Sequence, residues 1–267
     1  MSIKIYQVDA FTHQLFGGNP AAVCPLDKWL PDSVMQNIAA ENNLSETAFF
    51  APVTSNDGYE LRWFTPTVEV DLCGHATLAA AHIIFTEISP QTDIVNFQTK
   101  HAGELTVTRD KSNNLYTLNF PARPSEKIEM FDALLTAIGG DKTPVEVHKA
   151  RDHMLVYEKA ADVQQLSPDF TALAKIDSVF AVIATAPGDE VDFVSRFFAP
   201  AAGVSEDPVC GSAHCTLTPY WARRLGKNQL HAHQISARKG ELWCESKGDR
   251  VLLSGKAVTY LKGEINV

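Results

Sequence analysis

Residues 62–75 read RWFTPTVEVDLCGH, and residues 196–212 read RFFAPAAGVSEDPVCGS. Both stretches run from an arginine through two aromatic residues, a small residue and a proline to a loop with acidic residues that ends in Cys-Gly. They are separated by about half of the 267-residue chain. A match of this kind in the same order favours a duplicated domain over chance similarity, because internal repeats mark repeated structural units.

Each copy has the pattern of a strand, a turn and a helix. The segments YELRWF and DFVSRFF precede the prolines and are rich in aromatic and branched residues, which is typical of strands. After the first Cys-Gly, residues 76–85 carry no charged side chain and predict a buried helix. After the second, a helix is predicted to end at Gly226, and Pro219 within it predicts a kink or shortened first turns.

The rest of the chain predicts strands separated by turns, with two further helices at Pro31–Asn42 and Met130–Ile138. The predicted strands are Ile3–Val8, Ala21–Cys24, Ala48–Ala51, Ile94–Gln98, Leu105–Arg109, Tyr116–Phe120, His153–Tyr157, Ser178–Ala184, Gln234–Ala237, Leu242–Glu245 and Val251–Lys256. The Pro-rich segment 121–127 predicts a boundary between an N-terminal lobe of residues 1–122 and a C-terminal lobe of residues 123–267. The last strand is free to return to the N-terminal lobe. We therefore expect an α+β protein.

The composition is that of a globular protein, with 45% hydrophobic and 21% charged residues. A formal net charge of −9 argues against nucleic acid as a partner, because binding to phosphates requires a large basic surface. No apolar run is long enough for a membrane helix, and the first residues read as a strand rather than a secretory signal. Five cysteines are too few and odd in number for a disulfide framework, so we expect a reducing cytoplasm.

The two Cys-Gly turns are candidate binding elements. A helix that begins at Gly74 or Gly211 presents unpaired main-chain N–H groups and the positive end of its dipole, which favour a carboxylate. The hydroxyl of Ser212 adds a donor or a helix cap. The same location predicts a lowered pKa for the thiols of Cys73 and Cys210. The alternative is that both cysteines are small buried hydrophobic residues.

Several acidic residues lie near these turns or near another strand end. Glu46 lies between a helix end and an apolar strand, where partial burial raises a carboxyl pKa toward the range for proton transfer. The alternative for Glu46 is a solvated turn residue. Asp207 precedes Pro208, which restricts the direction of its carboxylate. Asp71 is expected to cap the first helix.

Three groups of residues offer metal ligands: Cys73 with His75, Cys210 with His214 and Cys215, and His231 with His233. None has the spacing of a dedicated zinc site. The chain also has neither a Gly-x-Gly-x-x-Gly nor a Walker sequence. We therefore expect no metal and no nucleotide cofactor.

Taken together, the segments VDAFT (8–12), GGNPAAV (17–23), NLSETAF (43–49), RWFTP (62–66), DLCGHATLA (71–79) and EDPVCGSAH (206–214) resemble the PhzF family of phenazine-biosynthesis isomerases. The resemblance extends over essentially the whole chain in the same order. It implies a fold similar to that of diaminopimelate epimerase. That fold has two pseudo-symmetric lobes, each a rolled, mostly antiparallel sheet or barrel around a central helix, with the active site in the cleft between the lobes.

The resemblance also implies roles for individual residues. Glu46 is the expected general acid/base, and His75, Asp207 and Ser212 are expected to polarise the substrate and relay protons. The expected substrate-binding residues are Gly74, Ala76 and Gly211 together with Cys73 and Cys210. The implied function is a biosynthetic, cofactor-independent isomerase that acts on a small carboxylated metabolite without metal and forms a homodimer.

Two other functions remain open at this stage. A Cys-Gly turn in each half is similar to proline racemases and diaminopimelate epimerases, in which two thiols exchange a proton at the substrate α-carbon. An amino-acid racemase that uses Cys73 and Cys210 is therefore the alternative enzyme. A non-catalytic ligand-binding protein is the other alternative, because a fold does not determine a function.

Overall fold

β-Strands contribute more residues than helices to each half of the chain in the computed structural model, which describes residues 2–53 and 58–267. The chain divides into an N-terminal unit, Met1–Asn119 with Ser254–Val267, and a C-terminal unit, Phe120–Leu253. Met1 and residues 54–57, which belong to the predicted N-terminal lobe, lie outside the described residues. No helix in the described part of the chain is both long and apolar enough to span a membrane.

The N-terminal unit is a mostly antiparallel sheet that surrounds one helix. Its strands and helices are β1 (Ser2–Ala10), β2 (Asn19–Pro25), α1 (Asp32–Asn42), β3 (Glu46–Pro52), β4 (Tyr59–Phe64), β5 (Glu69–Val70), α2 (Gly74–Ile83), β6 (Ile94–Thr99), β7 (Glu104–Asp110) and β8 (Leu115–Pro121). The pairs β1–β2, β3–β4, β6–β7 and β7–β8 are antiparallel, whereas β2–β3 and β4–β6 are parallel. Helix α2 packs against β1, β2 and β3, and nine of its ten residues are buried.

The C-terminal unit repeats this plan. Its elements are β9 (Glu126–Ile128), α3 (Asp132–Ile138), β10 (Glu146–Lys149), β11 (His153–Val156), α4 (Ala160–Gln164), α5 (Phe170–Ala174), β12 (Val182–Pro187), β13 (Phe193–Ala199), β14 (Val204–Asp207), α6 (Gly211–Leu225), β15 (Gln229–Gln234), β16 (Gly240–Lys247) and β17 (Arg250–Gly255). The order of pairing along β10–β11–β12–β13–β15–β16 has the same alternation of antiparallel and parallel contacts as β1–β2–β3–β4–β6–β7. Helix α6 packs against β15 and β16, whereas α2 packs against the first three strands of its own unit.

The last strand, β18 (Ala257–Asn266), returns to the first. It pairs with β1 in an antiparallel register that extends from Ser2 opposite Asn266 to Ala10 opposite Ala257. The C-terminal strand therefore completes the unit in which the chain begins. In the C-terminal unit, the short strand β9 pairs with β10 in the corresponding position.

The arginine of each repeated stretch stabilises the hairpin that follows it. Arg62 forms a bidentate pair with Glu69, with hydrogen bonds of 2.7 and 2.8 Å, and Arg196 forms one with Glu206 at 2.8 and 2.9 Å. Each guanidinium also lies over the second aromatic residue of its own copy, at 5.1 and 4.8 Å from the ring centre. Hydrogen bonds from Arg62 lower the pKa of Glu69 below its ordinary value. The repeated arginines and their glutamates are therefore structural.

Two of the predicted strands are partly wrong. The segment predicted as Ser178–Ala184 forms a strand only from Val182, because the main-chain N–H of Val179 turns back to the carbonyl of Ile176. The segment predicted as Gln234–Ala237 contributes only its first residue to a strand, β15. The Ser236 hydroxyl accepts a hydrogen bond from the N–H of Lys239 and donates one to Pro208, which closes a turn in place of a strand.

The helices also differ from expectation in detail. Helix α6 runs unbroken from Gly211 to Leu225 with Pro219 inside it, so its first turns are not shortened. Proline leaves the carbonyl of Cys215 without its usual helical donor, and the N–H of Arg123 takes that place at 2.9 Å. The two short helices α4 and α5 were not predicted. Helix α2 continues as a π-helical turn at Ile84–Ile88.

Candidate active site

Glu46 and His75 meet at the end of the buried helix of the N-terminal unit. Glu46 is the first residue of β3, and His75 is the second residue of α2, which packs against β3. The Oε2 atom of Glu46 lies 3.2 Å from Nε2 of His75, and the exposed fractions of the two side chains are 19% and 6%. The structure therefore brings together two of the predicted catalytic residues, and the carboxylate is only partly accessible to solvent.

Asn19 orients the imidazole from the other side. It is the first residue of β2, is fully buried, and its Nδ2 lies 3.2 Å from Nδ1 of His75. Because an amide nitrogen only donates, Nδ1 accepts and Nε2 carries the proton toward Glu46. Burial lowers the pKa of His75 to about 3, so the ring is neutral near pH 7. The 3.2 Å contact is thus between a neutral imidazole and the Glu46 carboxylate.

The position of Asn19 depends on the glycine before it. Gly18 has φ +59°, and a Cβ at this position would overlap the carbonyl oxygen of Ala10. Only glycine adopts this conformation at so close an approach of two main-chain segments. Asn19 belongs to the segment GGNPAAV (17–23), which resembles the PhzF family, but its contact with His75 was not predicted from the sequence.

The Cys-Gly turn of the N-terminal unit lies beside the same pair. Helix α2 begins at Gly74 as predicted, and Cys73 precedes it with its Sγ 3.4 Å from Nδ1 of His75. Ala76, a predicted substrate-binding residue, is completely buried in the first turn of α2. The prediction that Asp71 caps α2 is wrong. Its side chain is largely exposed, and its carboxylate lies 3.8 Å from Nε2 of His101.

Glu46, Cys73 and His75 offer a carboxylate oxygen, a sulfur and an imidazole nitrogen within 4.8 Å of one another. A soft divalent ion accepts this combination of ligands. The same three groups are equally suited to proton transfer, because each can hold or accept a proton. The expectation of a metal-free site stays a prediction.

The second Cys-Gly turn has different neighbours. Helix α6 begins at Gly211 as predicted, and the Sγ of Cys210 lies 3.2 Å from the Ser212 hydroxyl. The prediction of Ser212 as a helix cap is wrong, because no side chain caps this end. Its hydroxyl instead accepts a hydrogen bond of 3.0 Å from Nη2 of Arg151. Arg151 is itself held by two hydrogen bonds to the buried carboxylate of Asp152.

Gln234 holds the loop that contains Asp207. Its Nε2 donates to the carbonyl of Asp207 at 2.6 Å, and its Oε1 accepts from the N–H of Cys210 at 2.9 Å. Asp207 ends β14 and is half-buried. Arg151 and Gln234 were not predicted as part of this cluster, because both come from strands or turns far away in sequence.

The electrostatics of Cys210 contradict the sequence analysis. Burial, together with the negative charge of Asp207, raises the pKa of the Cys210 thiol well above its ordinary value. The opposite shift was predicted from the helix N-terminus. Desolvation of a fully buried thiolate outweighs the favourable helix dipole and the hydrogen bond to Ser212. Cys210 is therefore a protonated thiol near pH 7.

Comparison with known proteins identifies the family. The model of the PhzC-PhzF family, described as phenazine biosynthesis-like protein, matches residues 8–263. The chain belongs to the PhzC-PhzF family. An uncharacterized isomerase of Pseudomonas aeruginosa is 48% identical over 268 residues, and the match covers 100% of both chains.

The solved structures agree with this assignment. A crystal structure of a PhzF family protein from Enterococcus faecalis is 46% identical, with a TM-score of 0.95 and 100% of both chains covered. A hydroxyproline epimerase from Agrobacterium vitis is only 10% identical, but it has the same fold with a TM-score of 0.60 over 99% of this chain and 92% of that one. The predicted family and the predicted diaminopimelate epimerase-like α+β fold are confirmed, and this PhzC-PhzF protein is an isomerase.

Proposed function

We propose that this PhzC-PhzF protein isomerises a small carboxylated metabolite by proton transfer, with Glu46 as the general acid/base. The observation that carries the proposal is the pair of Glu46 and His75. A carboxylate with 19% of its side chain exposed lies 3.2 Å from a buried imidazole. That imidazole is neutral, because burial lowers its pKa to about 3. Glu46 therefore faces a neutral ring at this contact, whereas an imidazolium there would weaken it as a base.

The proposed reaction conserves protons and electrons. Glu46 removes a proton from a carbon next to an electron-withdrawing group of the substrate, and the C–H electron pair moves into the carbon skeleton. The protonated Glu46 then returns the proton to a different carbon of the same skeleton. The buried imidazole of His75, 3.2 Å from Oε2 of Glu46, limits the positions that the carboxylate can adopt.

The substrate carboxylate is proposed to bind main-chain N–H groups at a helix N-terminus. Gly74 opens α2 and Gly211 opens α6, and each helix end supplies unpaired donors and a positive partial charge. Asp207 and Ser212 are proposed to contribute to substrate binding and proton relay, as the family resemblance implies. The hydrogen bond from Arg151 to Ser212 supports this, because it keeps the hydroxyl in a defined direction.

The test is solvent-deuterium exchange. The wild-type protein is incubated in D₂O with a panel of free amino acids and with a dihydro-hydroxyanthranilate, and deuterium uptake is measured by mass spectrometry. Glu46→Gln should reduce exchange by roughly 10²–10⁴-fold with little loss of substrate binding. Glu41→Gln is the matched control, because Glu41 is an exposed carboxylate on α1.

The same experiment distinguishes the thiol mechanism. Under the proposal, Cys73→Ser retains most of the exchange activity, because the serine preserves the shape of the turn. Exchange at an amino-acid α-carbon that is lost in Cys73→Ser and kept in Glu46→Gln would instead identify a racemase. Full activity of Glu46→Gln with every substrate would refute the assigned role of Glu46.

We also propose that the protein is a homodimer in a reducing compartment such as the cytoplasm. All five cysteines are free thiols in the structure, which fits a reducing environment. The homodimer rests on the family resemblance. Light scattering coupled to gel filtration tests it directly, and a mass near the 29.3 kDa of one chain would contradict it.

A further inference from the structure

A second cluster of titratable side chains lies on the hairpin of β15 and β16, in the C-terminal unit. His231 and His233 alternate along β15 and therefore share one face of the sheet. Strand β16 places Glu241 directly opposite His233, and Trp243 directly opposite His231. Three potential metal ligands thus project from one face of a two-stranded segment. None of the three has a part in the proposed proton transfer.

The distances in this cluster suit a single ion. Oε1 of Glu241 lies 2.8 Å from Nε2 of His231 and 3.9 Å from Nε2 of His233. The three ligand atoms all lie within 4.8 Å of one another. Ligand atoms on a tetrahedral zinc ion with bonds of about 2.0–2.1 Å are about 3.3 Å apart. Side-chain shifts of about an ångström or less therefore bring the distances among these three ligand atoms to those of a zinc site.

The surroundings hold the ligand side chains in place. The indole of Trp243 stacks on the His231 ring with a centroid distance of 5.2 Å and an interplanar angle of 9°. The N–H of His231 also donates to Asp192 at 2.7 Å, which anchors the strand. The ligands are thus held before an ion arrives.

The cluster is also accessible. His231, His233 and Glu241 are each partly exposed, and His233 borders a cavity of about 610 Å³. The carboxylates of Asp189 and Glu190 line the same cavity and attract a cation. An ion bound by three protein ligands at such a place keeps at least one position for water.

We propose that His231, His233 and Glu241 form a binding site for a borderline divalent transition-metal ion, with Zn²⁺ as its representative. Two imidazoles and one carboxylate are ligands that zinc accepts, whereas Mg²⁺ and Ca²⁺ favour sites made of oxygen atoms alone. His231 and His233 lack the spacing of a dedicated zinc site in the sequence, because the third ligand, Glu241, lies on the next strand.

The test is titration of the metal-free full-length protein with Zn²⁺ by calorimetry. It is performed in the Cys73→Ser background, which removes the sulfur ligand of the Glu46, Cys73 and His75 cluster. One zinc ion should bind per chain, and His233→Ala should weaken its affinity by at least roughly 100-fold. Glu241→Gln, a smaller change in shape, should also weaken binding. His101→Ala, at an exposed histidine of the N-terminal unit, is the control and should bind zinc like the background protein.

Fluorescence locates the ion independently. Cu²⁺ bound at this cluster should quench Trp243, and the quenching should be lost in Trp243→Phe while the other three tryptophans remain. Unchanged circular dichroism without metal establishes that the variants are folded. Zinc binding that survives the combination of His233→Ala and Glu241→Gln in the Cys73→Ser background would overturn the proposal. The absence of zinc binding in the Cys73→Ser background would also overturn the proposal. It would assign the ion to the cluster of Glu46, Cys73 and His75, or leave Glu241 and the two histidines as a surface ion pair only.

Discussion

The two units share the same order and direction of strands, but equivalent positions in them carry different chemical groups. Phe64 and Phe198 occupy the same position in the two repeated stretches. The strand partner of Phe64 is Thr47, and the strand partner of Phe198 is Val182. Glu46 precedes Thr47, and its counterpart Ala181 precedes Val182 and is buried. The carboxylate proposed as the acid/base therefore has no equivalent in the other unit.

The residue after Cys-Gly also differs, with His75 in one unit and Ser212 in the other. By contrast, the pairs of Arg62 with Glu69 and Arg196 with Glu206 have nearly the same geometry. The repeated residues outside the turns therefore stabilise the strand arrangement that both units share. The residues that differ are the candidates for the chemistry, and the proposed function places proton transfer in the N-terminal unit.

The largest expected effect concerns the buried helices that both units share. Leu78→Ala in α2 and Leu217→Ala in α6 each remove a completely buried side chain and should lower the free energy of unfolding by about 2–5 kcal/mol. Leu225→Ala, at the exposed end of α6, is the control and should change it by less than about 0.5 kcal/mol. Urea unfolding measures all three. A Leu217→Ala effect no larger than that of Leu225→Ala would contradict the role of α6 as the centre of its unit.

The next effect separates the two residues that follow Cys-Gly. His75→Gln replaces the imidazole that lies 3.2 Å from the Glu46 carboxylate and should lower kcat by roughly 10–100-fold, because the carboxylate is then less precisely positioned. Ser212→Ala should mainly raise KM, by about tenfold or less. Steady-state kinetics on the substrate identified by deuterium exchange measures both. If Ser212→Ala lowers kcat more than His75→Gln does, the assignment of chemistry to the N-terminal unit is wrong.

Buried neutral histidines should make both units sensitive to acid. Burial lowers the pKa of His82 in the N-terminal unit and of His214 in the C-terminal unit to about 4 each. The unfolded chain then binds more protons than the folded one below about pH 6.5, so stability is lost as the pH falls from 6.5 toward 4.

The two histidines allow that loss to be measured separately. His82→Gln and His214→Gln should each reduce the stability lost between pH 6.5 and pH 5 by about 1–2 kcal/mol, relative to the wild type. Urea unfolding at the two pH values gives the difference. An unchanged pH dependence in either variant would show that its imidazole is already protonated in the folded state.

The smallest effect tests the equivalence of the two arginine–glutamate pairs. Glu69→Gln should lower the free energy of unfolding by about 1 kcal/mol at pH 7. Because Arg62 lowers the pKa of Glu69 in the folded state, its contribution is present above the ordinary value of 4.5 and is lost as the pH falls through the folded-state pKa. The difference from wild type should therefore be smaller at pH 4 than at pH 7. Glu206→Gln should cost a similar amount at pH 7, and a much larger or smaller cost would break the equivalence.

The repeat, the fold class and the starts of both central helices could be predicted from the sequence, because they depend on local patterns. Arg62 and Arg196, the prolines and the Cys-Gly turns all lie within two short stretches. Strand boundaries were less accurate where a single side chain determines the local structure. The turn closed by Ser236 is an example, since its partner Pro208 lies far away in sequence.

For the candidate site, the sequence predicted which residues take part but not the contacts between them. Glu46 and His75 were named separately, but their contact and the hydrogen bond between Asn19 and His75 require the pairing of β2 with β3 and the packing of α2. The pKa of Cys210 was predicted in the wrong direction for a related reason. The helix N-terminus is visible in the sequence, whereas complete burial next to Asp207 is not.

The pairing of β18 with β1 has a consequence for protein synthesis. The ribosome makes β1 long before β18, so the nascent N-terminal unit exposes an unpaired strand edge until β18 has been made. The C-terminal unit, Phe120–Leu253, is contiguous and is synthesised between those two strands. The unit that carries Glu46 therefore closes only after the whole of the other unit has been synthesised.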